Sequence, residues 1–199
     1  MQIHLIRHGE TNWNKEGRVQ GQTDSVLTDL GKEQASKLQS TMAAYPIERV
    51  YCSSSIRTRE TAALVFEGQE IPHEYCDNLR EIYLGSWETR LYRDVDIDHP
   101  EELENFRSYP HKFAFNGAET FADLQIRGVE QINRIHSEAA AQVVAIVSHG
   151  AIIKTILSHY EGRHLRNLWD PPRLHNCAHS ILEQNGDTFR ITQYADLKV

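Results

Sequence analysis

The chain has 199 residues, 40% hydrophobic and 25% charged, a composition that supports one folded domain with a continuous core rather than a disordered or fibrous chain. Its formal net charge of −7 speaks against a nucleic-acid or anionic-membrane surface, each of which needs a basic patch. A small anionic substrate stays open, because a few arginines make a local positive pocket even in an acidic protein.

Taken in chain order, residues 2–7 read as a strand. Thr28 caps a helix running to about Ala44, with Leu30, Gln34, Leu38 and Met42 at helical spacing. Arg49–Cys52 reads as a second strand, followed by a helix from near Ser54 to about Phe66, and 70–76 as a short edge strand. The stretch 85–118 looks irregular and carries Trp87 and the acidic cluster Asp94, Asp96, Asp98, Glu101, Glu102 and Glu104. It is read as a cap inserted beside the sheet. Phe121, Leu124, Val129, Ile132 and Ile135 predict an amphipathic helix over about 119–140. "VVAIVS" (143–148) predicts a strand buried on both faces, 149–160 a further helix, and 177–194 a hairpin around Asn185-Gly186-Asp187. The expected fold class is α/β: a three-layer sandwich with a mostly parallel central sheet, helices on both faces and a small inserted cap, all one domain spanning 1–199.

Three cysteines, Cys52, Cys76 and Cys177, stand far apart with no C-x-x-C pair, which predicts reduced thiols. No secretory leader and no run of roughly 20 apolar residues is present, so a cytoplasmic protein is expected. The oligomeric state is not readable, although the outer edge of such a sheet leaves room for a homodimer.

In open α/β sheets, ligands bind outside the carboxyl ends of the strands. Three such ends deliver polar groups here: Arg7-His8-Gly9, "CSSSIRTRETA" (52–62) with Arg57 one turn into the helix, and Ser148-His149-Gly150. Two arginines and two histidines at one end of a sheet suit a dianionic phosphoryl group, and helix N-termini at 149 and near 55 add dipoles of the same sign. One neutral histidine can attack phosphorus while the other donates to the equatorial oxygens. An acid for the leaving oxygen is still required, and Glu81 in "NLREIYLGSWE" (78–88) is the best candidate. His175 and His179 lie four apart but lack H-E-x-x-H or paired cysteines, so no metal site is expected there.

These motifs together, R-H-G-E-T, S-x-x-x-R-x-x-x-T, E-x-x-x-G-x-W-E and V-S-H-G, resemble the histidine phosphatase superfamily, in its phosphoglycerate-mutase-like branch, over nearly the whole chain. The resemblance implies His8 as the nucleophile that becomes phosphohistidine, and Arg7, Arg57 and His149 as holders of the phosphoryl oxygens. It implies Asn14 as a further phosphate donor, Gln20, Gly21 and Thr23 in the loop lining the pocket, Gly150 beside His149, and Glu81 as proton donor. The implied partners are a small phosphorylated metabolite and inorganic phosphate, with neither metal nor organic cofactor, because the arginines stabilise the charge. Phosphatase chemistry is favoured over a mutase, since the chain lacks an extra middle segment and the cap is acidic. The sequence departs from the family pattern at Thr89, where the motif has glycine, and at Ser55 and Thr58 near Arg57.

Overall fold

The computed structural model describes all 199 residues. Strand β1 (Gln2–Arg7) alternates between two cores: Ile3 and Leu5 face one side of the sheet, His4 and Ile6 the other. A short helix α1 (Asn12–Glu16), closed by a capping box between Thr11 and Asn14, follows directly; the sequence reading did not foresee it. Helix α2 (Asp29–Met42) starts at the expected cap, Thr28, which accepts from the Gly31 amide at 3.0 Å. Its inward face matches the expected one at Leu38 and Met42 but is shifted by one residue in the first two turns, where Gly31 and Ala35 take the places expected for Leu30 and Gln34. Gly31, Ala35, Leu38 and Met42 are buried, whereas Leu30 is 48% exposed. The cause is backbone contact: a Cβ at Gly31 would stand 2.1 Å from the Glu10 carbonyl oxygen, so only glycine fits the inward position.

Strand β2 (Arg49–Ser53), helix α3 (Ile56–Val65) and edge strand β3 (His73–Cys76) follow as expected. The cap is more regular than expected. It contains helices α4 (Tyr92–Asp98) and α5 (Pro100–Ser108), each burying only one residue, Val95 and Leu103. Such a thin apolar stripe gives little periodicity to detect. Trp87 lies fully buried beneath the cap, its ring centroid 4.7 Å from Phe115 and 5.4 Å from Phe113. Most of the acidic cluster faces solvent.

Helix α6 (Phe121–Glu138), strand β4 (Val143–Ser148) and helix α7 (Gly150–Glu161) lead to β5 (His179–Asn185), β6 (Thr188–Tyr194) and a short returning strand β7 (Leu197–Lys198). The seven strands run in the order β3-β2-β4-β1-β5-β6-β7. β3, β2, β4 and β1 are mutually parallel, while β5, β6 and β7 run antiparallel to their neighbours. "Mostly parallel" therefore describes one half of the sheet, with β1 at the change of direction. The cores around α2 and α3 on one face and α6, α7 and the cap on the other make three layers. β4 lies between them with Val144–Ser148 fully buried. No helix is long and apolar enough to cross a membrane.

Candidate active site

Register between β1 and β4 pairs Arg7 with Ser148, and the His8 amide donates to the Ser148 carbonyl at 3.0 Å. His8 and His149 thus leave neighbouring strands side by side, their ring centroids 5.4 Å apart. His8 Nδ1 lies 2.7 Å from the Gly9 carbonyl oxygen. A carbonyl only accepts, so Nδ1 carries the proton and Nε2 keeps its lone pair. Burial, reinforced by the charges of Arg57 and Arg7, holds His8 well below the usual histidine range. It is therefore a neutral imidazole at physiological pH. A Cβ at Gly9 would meet the Gly31 carbonyl oxygen at 2.5 Å, so its small size lets the segment after β1 pass α2.

Arg7 donates from Nη1 to the Leu174 carbonyl at 2.6 Å, and its buried Nε has no partner. Arg57, from the first turn of α3, is fully buried. It donates from Nη1 to Thr23 O at 2.9 Å, from Nη2 to Gly21 O at 2.7 Å, and from Nε to His149 Nδ1 at 3.1 Å. Burial pushes its pKa down to about 10, which leaves it cationic at neutral pH. Since His149 Nδ1 accepts from Arg57, Nε2 holds the proton and donates to Ser53 Oγ at 2.8 Å. Both ring nitrogens thus face protein atoms, and burial first, then Arg57, lowers the pKa of His149 well below the usual range. His149 is not among the residues that line the inner cavity, and it packs against Arg57.

The 20–23 loop is organised by Glu88. That carboxylate accepts from the Gln22, Thr23 and Leu84 amides at 2.9, 2.9 and 3.1 Å and from the Thr23 hydroxyl. Gly21 has φ +53°, and a Cβ there would lie 2.2 Å from Glu88 Oε1, so the loop requires glycine. Thr23, expected to line the pocket, turns its hydroxyl to Glu88 and contributes its carbonyl to Arg57 instead. Gln20 accepts from Thr11 and Ser25 through Oε1, leaving its NH2 unpartnered. Asn14 Oδ1 accepts from the Thr11 amide and from Asn176, which fixes its amide with the NH2 group free.

Glu81 Oε1 accepts from the Ile82 and Ile152 amides at 3.0 and 3.2 Å, and Oε2 from the Ala151 amide at 3.0 Å. The carboxylate therefore caps α7, against the favourable end of its dipole. An inner cavity of about 170 Å³ is lined by Arg7, His8, Asn14, Gln20, Gly21, Arg57 and Glu81. The structure thus brings seven of the ten candidate residues to one surface. Gly150 lines an adjoining cavity of about 410 Å³.

Among the residues of the inner wall that the sequence reading did not mark are Arg18, Tyr92 and Phe106. Arg18 follows the R-H-G-E-T motif closely and could have been found there, as a cation between polar loop residues. Tyr92 and Phe106 sit in the cap, where no motif marks them. Burial beside Glu81 pushes the Tyr92 hydroxyl up to about 12, so it remains a donor. Thr89, the departure from the family glycine, adopts φ +72°, the left-handed region. The arrangement as a whole gathers buried cations, a neutral histidine and a carboxylate around one cavity, a combination chemically suited to a phosphoryl group.

Residues 3–197 match the model of the histidine phosphatase superfamily (branch 1), and the chain belongs to that family. It is 31% identical over 169 residues to the adenosylcobalamin/alpha-ribazole phosphatase of Salmonella typhimurium, covering 85% of this chain and 84% of that one. It is also 31% identical over 163 residues to the "Probable phosphoglycerate mutase GpmB" of Escherichia coli O1:K1, covering 79% and 74%. Among solved structures, Bacillus stearothermophilus YhfR superposes with a TM-score of 0.96 at 35% identity over 99% of this chain and 98% of that one.

Proposed function

We propose that the protein is a phosphomonoester phosphatase acting on a small phosphorylated metabolite through a phosphohistidine on His8. The observation that carries this is the pairing of a proton-bearing Nδ1, fixed by Gly9 O, with an unprotonated Nε2 among the cationic groups of the inner cavity. Membership of the family and likeness to a phosphatase relative support it.

In the first step His8 Nε2 bonds to phosphorus as the bond to the alcohol oxygen breaks. The orphaned Nε of Arg7 and the free NH2 of Asn14 are donors available to the phosphoryl oxygens. Arg57, held by two carbonyls and by His149, supplies fixed positive charge. Glu81 gives its proton to the leaving oxygen. Oε1 already accepts two amides, so the proton is carried on Oε2, which accepts one. In the second step a water oxygen attacks phosphorus, Glu81 takes the water proton, the N–P bond breaks and phosphate leaves. His149 acts through Arg57 as a positioning residue.

A mutase would share the first step and differ in returning the phosphoryl group to a second hydroxyl. Supplying 3-phosphoglycerate with 2,3-bisphosphoglycerate separates the two, since isomerisation much faster than phosphate release overturns the phosphatase reading. The His8→Ala variant is expected to lose hydrolysis of p-nitrophenyl phosphate and the acid-labile phosphoenzyme. Undiminished turnover removes His8 as nucleophile. Work in a reducing, cytoplasmic setting fits the three free cysteines.

A further inference from the structure

The outer cavity, about 410 Å³, opens directly off the phosphoryl site, because Arg7, Glu81, Phe106 and Ala151 line both spaces. With Glu81 at the junction, the alcohol part of an ester bound at His8 lies in this outer space. Its apolar wall comes from two parts of the chain, Phe106 from α5 and Trp169 and Leu174 from the segment between α7 and β5. Trp169 Nε1 donates to the Phe106 carbonyl at 2.9 Å, and the ring centroids lie 6.3 Å apart, so cap and segment meet as one aromatic surface.

Arg173 completes the lining and is exposed. The other arginines around the two cavities are engaged by protein acceptors: Arg7 by Leu174 O, Arg18 by Glu16 and Thr89 O, Arg57 by Gly21 O and Thr23 O. Arg173 has no hydrogen bond or ion pair. Its backbone, in contrast, is held on both sides. Lys154 donates to Asp170 O and Pro172 O, both at 2.7 Å. Arg163, clamped by Glu161, donates to Asp170 O and Pro171 O at 2.9 and 3.0 Å. Arg7 holds Leu174 O, one residue further on. The held backbone fixes where the side chain starts, the guanidinium has all its donors unspent, and its fork suits a carboxylate. No carboxylate other than Glu81 lines the space to repel one.

We propose that Arg173 is the specificity-determining residue, selecting phosphomonoesters whose alcohol part joins a planar apolar ring to a carboxylate distal to the phosphate. The ring lies against Phe106, Trp169 and Leu174, where aromatic surface leaves water, and the carboxylate takes the Arg173 donors. This rests on the phosphatase reading of the inner site.

The test compares kcat/KM for 4-carboxyphenyl phosphate, phenyl phosphate and 3-phosphoglycerate in wild type, Arg173→Gln, Arg173→Lys and Trp169→Ala. Each ester is compared with itself across enzymes, so differences in leaving ability cancel. Arg173→Gln is expected to lower the carboxyphenyl-to-phenyl ratio about 5- to 30-fold, the range for a charge-assisted bond weakened by solvent at the rim, and Arg173→Lys to keep part of it. Trp169→Ala is expected to reduce both aryl esters more than 3-phosphoglycerate. A ratio that moves less than twofold in Arg173→Gln overturns the carboxylate assignment, and equal losses on all three esters in Trp169→Ala overturn the ring. Either result, with phenyl phosphate still turned over in a His8-dependent way, leaves the phosphatase reading standing. If wild type and His8→Ala hydrolyse none of the esters, both readings fall.

Discussion

Acid is expected to destabilise this protein in part through a pair of histidines outside the active site, in addition to the buried His8 and His149. Gln2 Oε1 lies 2.9 Å from His4 Nε2, His4 Nδ1 lies 2.9 Å from His179 Nε2, and Gln193 Nε2 lies 3.0 Å from His179 Nδ1. With the Gln2 oxygen accepting, each ring is neutral and every ring nitrogen is used. A further proton on His4 would set two N–H groups against each other. Burial first, then the neighbouring ring, lowers His4 to about 3, and burial lowers His179 to about 4. In the unfolded chain both titrate near 6.5. Below that pH the unfolded state binds two protons that the native state refuses, so stability is full above 6.5 and falls as the pH drops toward the folded values. From 6.5 to pH 5 each histidine removes about 2 kcal/mol, and the slope reaches about 2.7 kcal/mol per pH unit for the pair. Total domain stability is about 5–15 kcal/mol, so this loss matters. Urea unfolding of wild type and of the His4→Gln/His179→Gln variant between pH 5 and 7.5 measures it. The comparison is of slopes, so lost packing in the variant does not enter. Equal slopes, or NMR showing either ring protonated in native protein at pH 5, would refute the reasoning.

Other expectations concern the site and its supports. Glu81→Gln is expected to lower kcat about 10²- to 10⁴-fold, more on alkyl than on nitrophenyl esters, whose leaving oxygen needs no proton; equal losses on both count against the acid role. Glu88→Ala strips an acceptor from three amides and is expected to cost about 2–4 kcal/mol in urea unfolding, with activity falling as the loop that holds Arg57 loosens. A change below about 0.5 kcal/mol would remove Glu88 as the organiser. Thr89→Gly relieves a left-handed β-branched residue and is expected to raise stability by about 0.5–1 kcal/mol, or Tm by about 2 °C; a lower Tm contradicts the strain.

What was legible in the sequence followed the sheet. Strands β1, β2 and β4 carry short apolar runs that end in Arg7-His8, the Ser53–Arg57 turn and Ser148-His149, so both pattern and chemistry show in a few consecutive letters. What stayed hidden lies where contacts are made between distant segments. The inward face of α2 depends on Gly31 passing Glu10, not on the size of Leu30. The place of His149 depends on Arg57, 92 residues away, reaching it with Nε. Tyr92, Phe106, Trp169 and Arg173 come from the cap and from a proline-containing connection with no periodicity, so only their convergence gives them meaning.

The position of β1 at the change of strand direction has a consequence for biosynthesis. Ile3 pairs with Val144 on one side and with Leu182 on the other. During translation the segment bearing His8 leaves the ribosome long before either neighbour exists. Until β4 and β5 arrive, both edges of β1 are open and nothing aims the imidazole. Pairings this distant in sequence form slowly and leave apolar strand edges exposed meanwhile. His8 is therefore synthesised early and positioned last, and a nascent chain lacking β5 carries this histidine without the strand that flanks it.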